Sequence, residues 1–234
     1  MVIGGVQWTT LLDYPGQVAA TLFTAGCNLR CPFCHNPELV IPDLVSDGSR
    51  GLDESFFAEL EERRGFLDAV VISGGEPTLQ NDLLQILKRI KELGYLIKLD
   101  TNGTRPDLIQ RALESGWVDY VAMDIKAPPH TYDRMSGVSV DIAMIERSIV
   151  TIRQEAPQYE FRTTAGPGLS ADDLLKIGQW LEGARAYWLQ TFQIPVDKAL
   201  VDEGCRERTA LKTDDLEAIW EQLRDRFQAG GVRG

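Results

Sequence analysis

The sequence predicts an α/β fold built on a mostly parallel sheet, a partial, open (β/α)6 barrel. Short β-branched or aromatic runs alternate with longer amphipathic segments, about six such units fit into 234 residues, and no linker-like stretch or repeat interrupts them. A closed eight-unit barrel takes about 250 residues and two more strands than are found here; a doubly wound sheet is the second choice. Either architecture sets its chemistry at the C-terminal ends of the strands.

The opening segment, 6–16 (VQWTTLLDYPG), predicts a small hairpin ahead of the barrel, with Tyr14-Pro15-Gly16 as its turn. Strands are expected over 18–25, 69–73, 96–101, 118–125, 159–164 and 186–192. Helices are expected over 53–64, 81–93, 106–115, 141–155, 170–181 and 213–227. In the second of these, apolar residues at 83, 84, 86, 87, 90 and 93 form one helical stripe, and Gly94 supplies a C-cap. Ser170 and Thr213 read as N-caps, with acidic residues in the turns that follow. One domain is expected, with a hairpin extension over 1–17, a barrel core over 18–195 and a C-terminal loop and helix over 196–234.

Hydrophobic residues make up 44% and charged residues 25%, which calls for an ordered core and excludes a disordered or collagen-like chain. No apolar run reaches the roughly 20 residues that span a bilayer, so no membrane association is expected. The start, Met1-Val2-Ile3-Gly4-Gly5, lacks the basic and apolar regions of a signal peptide, which points to the cytoplasm. Lys and Arg number 24 against 35 Asp and Glu, a net charge of −11 that is poorly suited to nucleic-acid backbones.

The chain has four cysteines, and three of them, Cys27, Cys31 and Cys34, lie within eight residues directly after the first expected barrel strand. Thiols so close in sequence suit metal or redox chemistry better than a disulfide framework. A zinc site using the three thiols and His35 is one reading, although adjacent Cys34 and His35 make tetrahedral ligation awkward. Cys31 to His35 also matches the C-x-x-C-H pattern of covalent haem, which belongs to exported proteins. A thioredoxin-like C-x-x-C leaves Cys27 unexplained. The remaining reading is an iron–sulfur cluster held by three thiolates, whose fourth iron keeps an open position for a ligand. Cys205 has no partner cysteine nearby and reads as a free thiol.

Other strand ends carry polar groups. Ser73-Gly74-Gly75-Glu76-Pro77-Thr78 follows the second barrel strand, and Asp100-Thr101-Asn102-Gly103 ends the third. As alternatives to a binding role, the first is an ordinary strand-to-helix turn, and Asp100 caps a turn. Asp124 and Lys126, two apart at the end of the fourth strand, face one side, either as a structural ion pair or toward a ligand. Arg162 at the end of the fifth could steady a carboxylate or serve a buried salt bridge. His130, beside two prolines, reads as a loop residue.

The C-x3-C-x2-C loop, with aromatic Phe33 before its third cysteine, resembles the signature of the radical S-adenosylmethionine (SAM) superfamily. The segments 9–16 (TTLLDYPG) and 25–40 (AGCNLRCPFCHNPELV) resemble the activating proteins of anaerobic (class III) ribonucleoside-triphosphate reductase and are similar to pyruvate formate-lyase activating enzyme. The resemblance implies a 4Fe-4S cluster on Cys27, Cys31 and Cys34, and SAM bound at its open iron. One electron from the cluster would cleave SAM, and the resulting radical would take hydrogen from a glycine of a glycyl radical enzyme, with the anaerobic reductase as the expected partner. It further implies SAM contacts at Phe33, His35, Gly74, Gly75, Glu76, Asp100, Asn102, Asp124, Lys126, Arg162 and Gln193, with Glu76 toward the amino group and Gln193 toward the ribose. Beyond the cluster and SAM, no catalytic residue is implied. In some relatives the two aspartates also hold a monovalent cation. With one cysteine left over, no second cluster can be built, so an external electron donor such as flavodoxin or ferredoxin is expected. Rival readings are a pyruvate formate-lyase-type activase, a small-molecule radical SAM enzyme such as a deazapurine-forming synthase, an RNA-modifying member, and a non-catalytic iron–sulfur electron carrier.

Overall fold

The computed structural model describes every residue except Ser49, Pro195 and Asp197, and the backbone alone at 46–48. The boundary drawn at 195 therefore lies outside the described residues. Among the described residues, nine strands form one open sheet: β1 (Val2–Thr10), β2 (Ala19–Thr24), β3 (Arg50–Gly51), β4 (Ala69–Gly74), β5 (Leu96–Thr101), β6 (Tyr120–Asp124), β7 (Gln158–Ala165), β8 (Ala186–Thr191) and β9 (Ala229–Arg233). Their order is β3-β1-β2-β4-β5-β6-β7-β8-β9. From β2 to β9 all neighbours are parallel, whereas β1 pairs antiparallel with both β2 and β3. The helices are α1 (Pro37–Val40), α2 (Pro42–Gly48), α3 (Glu54–Glu62), α4 (Leu83–Glu92), α5 (Pro106–Glu114), α6 (Tyr132–Ser136), α7 (Ile142–Glu155), α8 (Ala171–Trp180) and α9 (Thr213–Leu223).

The six expected barrel strands are present within two residues at each end. Several features depart from expectation. The hairpin begins at Val2 and uses β2 as its second strand, so its partner is the first barrel strand itself. A seventh parallel strand, β9, lies in a region expected to hold only a loop and a helix. The last helix stops at Leu223 and passes into a 3-10 turn over Arg224–Arg226. Thr213 is the first helical residue instead of the cap; its hydroxyl lies 3.4 Å from that of Thr191, and Asp215 accepts the Lys212 N–H at 3.0 Å. Ser170 does cap α8, in a reciprocal pair with Asp173. His130 sits in a 3-10 turn with Nε2 3.7 Å from Asp173 Oδ1, so the expected loop residue has an acidic neighbour.

Period-2 alternation divides the strands between two environments. Ala20, Leu22, Val70, Ile72, Ile97, Leu99, Val121 and Met123 pack with the helices in the main core. Ala19, Ala69, Val71, Tyr120 and Ala122 point the other way and form a second cluster on the concave face. Tyr14 joins this cluster, buried with its ring 5.6 Å from that of Tyr120, and Asp13 accepts a hydrogen bond from Thr21 at 2.6 Å. The segment read as a turn thus plugs the N-terminal end of the barrel interior. Farther along the same face, toward the strand ends, the side chains become charged: Lys98 and Asp100 on β5, Asp124 on β6, Glu160 and Arg162 on β7.

Candidate functional site

The cysteine loop leaves β2 and is gripped from five parts of the chain. Ala25 N–H donates to Val2 at 2.9 Å, and Gly26 N–H to Leu39 at 2.8 Å. Arg30 N–H donates to Ser136 at 2.7 Å, Gln80 Nε2 donates to the Ala25 carbonyl at 2.8 Å, and Glu76 N–H to the Gly26 carbonyl at 2.8 Å. From the segment after β8, Val201 N–H donates to Cys34 at 3.3 Å and Asp202 N–H to Pro32 at 2.9 Å. Arg30 turns back on its own loop, with NH1 2.7 Å from the carbonyls of both Cys27 and Leu29.

All four cysteines are free thiols, and Cys27, Cys31 and Cys34 line one cavity of about 280 Å³. Burial pushes the Cys27 thiol up to about 12 and raises Cys31 and Cys34 as well. Such thiols ionise readily only beside positive charge or a metal. Lys126 is near enough to pull all three down. Cys27 Sγ also faces two N–H groups, Leu29 at 3.4 Å and Asn102 Nδ2 at 3.9 Å. Cys205 is buried in the 3-10 turn Glu203–Glu207, away from this cavity.

The opposite walls come from the strand ends. Glycines at 74 and 75 serve packing between loops: a Cβ on Gly74 would lie 2.4 Å from Thr24 N, and one on Gly75 would lie 2.1 Å from the Gly26 carbonyl oxygen. The close approach expected toward a cofactor is thus first an approach to the cysteine loop itself. Glu76 is fully buried, and its carboxylate accepts four hydrogen bonds, from Thr78 N and Oγ1 (3.1 and 2.5 Å), Thr101 Oγ1 (2.8 Å) and Asn102 N (2.7 Å). Burial raises its carboxyl while these donors oppose the rise. The side chain expected to meet an ammonium also ties the glycine-rich turn to the loop after β5. Asn102 continues that tie, with Nδ2 donating to Asn28 at 3.0 Å.

A chain of ion pairs runs across the mouth. Lys98 Nζ lies 2.5 Å from Asp100 Oδ1, Arg162 NH2 3.3 Å from Asp100 Oδ2, Arg162 Nε 2.9 Å from Asp124 Oδ1, and Lys126 Nζ 3.2 Å from Asp124 Oδ2. Burial works to raise both aspartates, but Arg162 outweighs it, with Lys98 at Asp100 and Lys126 at Asp124, so both carboxyls fall below their ordinary range. Burial likewise works to lower Lys126, and Asp124 and Cys31 reverse it. Glu160 lies 3.9 Å from Arg162 and is itself held by Arg233 of β9 at 3.0 Å.

Phe33 is buried against Gly166, where a Cβ would come within 2.7 Å of the ring, and meets Phe192 edge-on at 6.3 Å. His35 lies 5.2 Å from Phe192, and its Nε2 is the one buried side-chain polar atom among the described residues that lacks a hydrogen-bond partner. An orphaned ring nitrogen on the wall of a cavity fits a site that receives a polar ligand. Burial lowers the His35 pKa, with Lys198 adding to the effect.

Ten of the eleven residues expected at a ligand line this cavity; Gln193 does not, as β8 ends at Thr191 and residue 193 is exposed. Sequence reasoning missed Lys98, Ser73 (Oγ 3.1 Å from Asp100 Oδ2), Thr164 and Phe192. The signal for Lys98 was present, since Lys98 and Asp100 repeat the two-residue spacing that singled out Asp124 and Lys126.

A profile of the radical SAM superfamily matches residues 21–181. A Methanocaldococcus jannaschii protein, provisionally named a glycyl-radical enzyme activating enzyme, is 31% identical over 225 residues, covering 93% of this chain and 90% of its own. The pyruvate formate-lyase-activating enzyme of Staphylococcus aureus is 32% identical over 185 residues, 73% of this chain and 71% of its own. In fold, the chain superposes on Streptococcus suis SuiB bound to S-adenosylmethionine with a TM-score of 0.65 at 14% identity, covering 92% of this chain and 52% of SuiB, so it spans about half the length of that neighbour. The signature loop after the first parallel strand, the open barrel behind it and a match across most of that barrel agree, and the chain belongs to the radical SAM superfamily, with the glycyl-radical enzyme activating enzymes among its relatives.

Proposed function

We propose that this protein is the activase of a glycyl radical enzyme and that its partner is an anaerobic ribonucleoside-triphosphate reductase. The observation that carries the proposal is the meeting of three free thiols from one loop with the charged strand ends in a single cavity. Cys27, Cys31 and Cys34 would hold the 4Fe-4S cluster, and the ends of β4 to β7 would face the SAM bound there. When bound, the cluster and SAM supply one-electron cleavage of a sulfonium and the hydrogen-atom abstraction that follows. The protein's share is to orient and to exclude water. N–H groups of Leu29 and Asn102 stabilise the Cys27 sulfur as a thiolate. Lys98, Lys126 and Arg162 against Asp100 and Asp124 give the opposite wall a positive surplus for the ligand's carboxylate. Phe33 and His35 offer a ring face and a free ring nitrogen to the adenosine end.

A zinc site would draw all three thiolates to one ion. A cluster instead takes one thiolate on each of three irons. The electron donor is external, of the flavodoxin or ferredoxin kind, and the setting is the reducing cytoplasm. The partner rests on the resemblance of segments 9–16 and 25–40 to the reductase activases. The test is anaerobic reconstitution with iron, sulfide, SAM and a reductant, followed by mixing with a candidate reductase or with pyruvate formate-lyase. A glycine-centred electron paramagnetic resonance doublet on the reductase is expected. A doublet on the lyase alone overturns the partner, and intact SAM after reduction overturns the activity.

A further inference from the structure

We propose that Arg162 is the built-in counter-cation of the two strand-end aspartates, so that this site works without the monovalent metal ion that some relatives place between such carboxylates. Every oxygen of both carboxylates already has a cationic partner. Asp100 Oδ1 faces Lys98 at 2.5 Å and Asp100 Oδ2 faces Arg162 at 3.3 Å. Asp124 Oδ1 faces Arg162 at 2.9 Å and Asp124 Oδ2 faces Lys126 at 3.2 Å. Ser73 adds a hydroxyl donor to Asp100 Oδ2 at 3.1 Å. The guanidinium is a flat fork whose Nε edge takes one aspartate while its terminal nitrogens take the other, a bridging geometry that an ammonium cannot reproduce.

Hard cations need several oxygen ligands. An ion entering between Asp100 and Asp124 would have to displace Arg162, leaving a mostly buried guanidinium without its partners, and breaking a buried pair in that way is strongly unfavourable. The charge count points the same way. Lys98, Lys126 and Arg162 stand against Asp100 and Asp124, three against two, and adding the Glu160–Arg233 pair leaves the surplus at one positive charge. That surplus leaves neither aspartate without a cationic partner from the chain itself. The inference rests on the functional reading above only where SAM serves as the probe.

The experiment compares the anaerobically reconstituted protein with its Arg162→Gln variant in potassium, sodium and tetramethylammonium chloride at equal ionic strength. Without SAM, the wild-type unfolding midpoint is expected to be the same in all three salts. In the variant the midpoint falls by roughly 6 to 20 °C in tetramethylammonium, the cost of breaking a buried pair, and rises again by at least about 3 °C in potassium or sodium. With SAM, wild-type affinity is expected to change by less than about twofold between potassium and tetramethylammonium, while the variant binds at least about tenfold more tightly in potassium. A wild-type midpoint that rises in potassium or sodium overturns the proposal, as does a tenfold potassium dependence of wild-type affinity or a variant indifferent to the salt. Should Arg162→Gln fail to fold, the wild-type midpoints decide. Failure of the wild type to bind SAM in every salt would instead count against the functional reading.

Discussion

Replacing Glu76 by alanine removes the acceptor for four donors in a place that water does not reach. The two threonine hydroxyls can turn to other acceptors, but the backbone N–H groups of Thr78 and Asn102 cannot. Two stranded buried N–H groups at about 1–3 kcal/mol each, plus the cavity left by the side chain, sum to about 3–6 kcal/mol. For a chain of this length each kcal/mol moves the unfolding midpoint by about 2–4 °C, so a fall of roughly 6 to 24 °C is expected. Glu76→Gln keeps one acceptor oxygen but turns an amide toward the Asn102 N–H, and about half the loss is expected. Thermal unfolding under argon gives the midpoint, cluster absorbance reports the cysteine loop, and equilibrium dialysis gives SAM affinity. If Glu76→Ala unfolds within about 2 °C of the wild type while losing SAM affinity tenfold, the carboxylate is a ligand contact and its reading as a tie between loops is wrong.

Alanine at Cys27, Cys31 or Cys34 is expected to abolish both cluster absorbance and SAM cleavage. Cys205→Ala is expected to retain both, and a colourless Cys205 variant would show the wrong thiols had been chosen. Because Asp100 and Asp124 are held below their ordinary range, the native state binds fewer protons than the unfolded chain in acid. Their contribution is therefore complete above about pH 4 and is lost as pH falls through the lowered folded values, which acid titration of the midpoint checks. Tyr14→Ala empties the floor of the barrel and should cost about 3–5 kcal/mol by denaturant titration, whereas Tyr14→Phe keeps the ring and should cost under about 1 kcal/mol.

Much of this architecture was legible because period-2 and period-3.6 patterns are local. The six barrel strands and the stripe on α4 follow from them. The strand β9 was not legible: Ala229-Gly230-Gly231 has no β-branched or aromatic residue, and the strand exists because β8 offers an open edge and Arg233 reaches Glu160. Tyr14 shared a turn signature with Pro15 and Gly16, and nothing nearby in sequence marks it as a barrel plug. In the site, the thiols and paired charges were readable from spacing. The role of Glu76 was not, since three of its four donors belong to Thr101, Asn102 and a hydroxyl whose orientation only the fold sets. Gln193 lies two residues beyond the end of β8, exposed and outside the cavity lining, which spacing alone does not reveal.

The hold on the cysteine loop bears on the order of events during synthesis. Its anchors include residues 2, 39, 136, 201 and 202, so the thiols reach their final arrangement only after nearly the entire polypeptide has cleared the ribosome. A nascent chain paused midway would carry three cysteines without the frame that spaces them. Shortening the chain before residue 201 removes two of these anchors and is expected to lower the iron held after reconstitution with iron and sulfide, which iron analysis of the truncated protein checks.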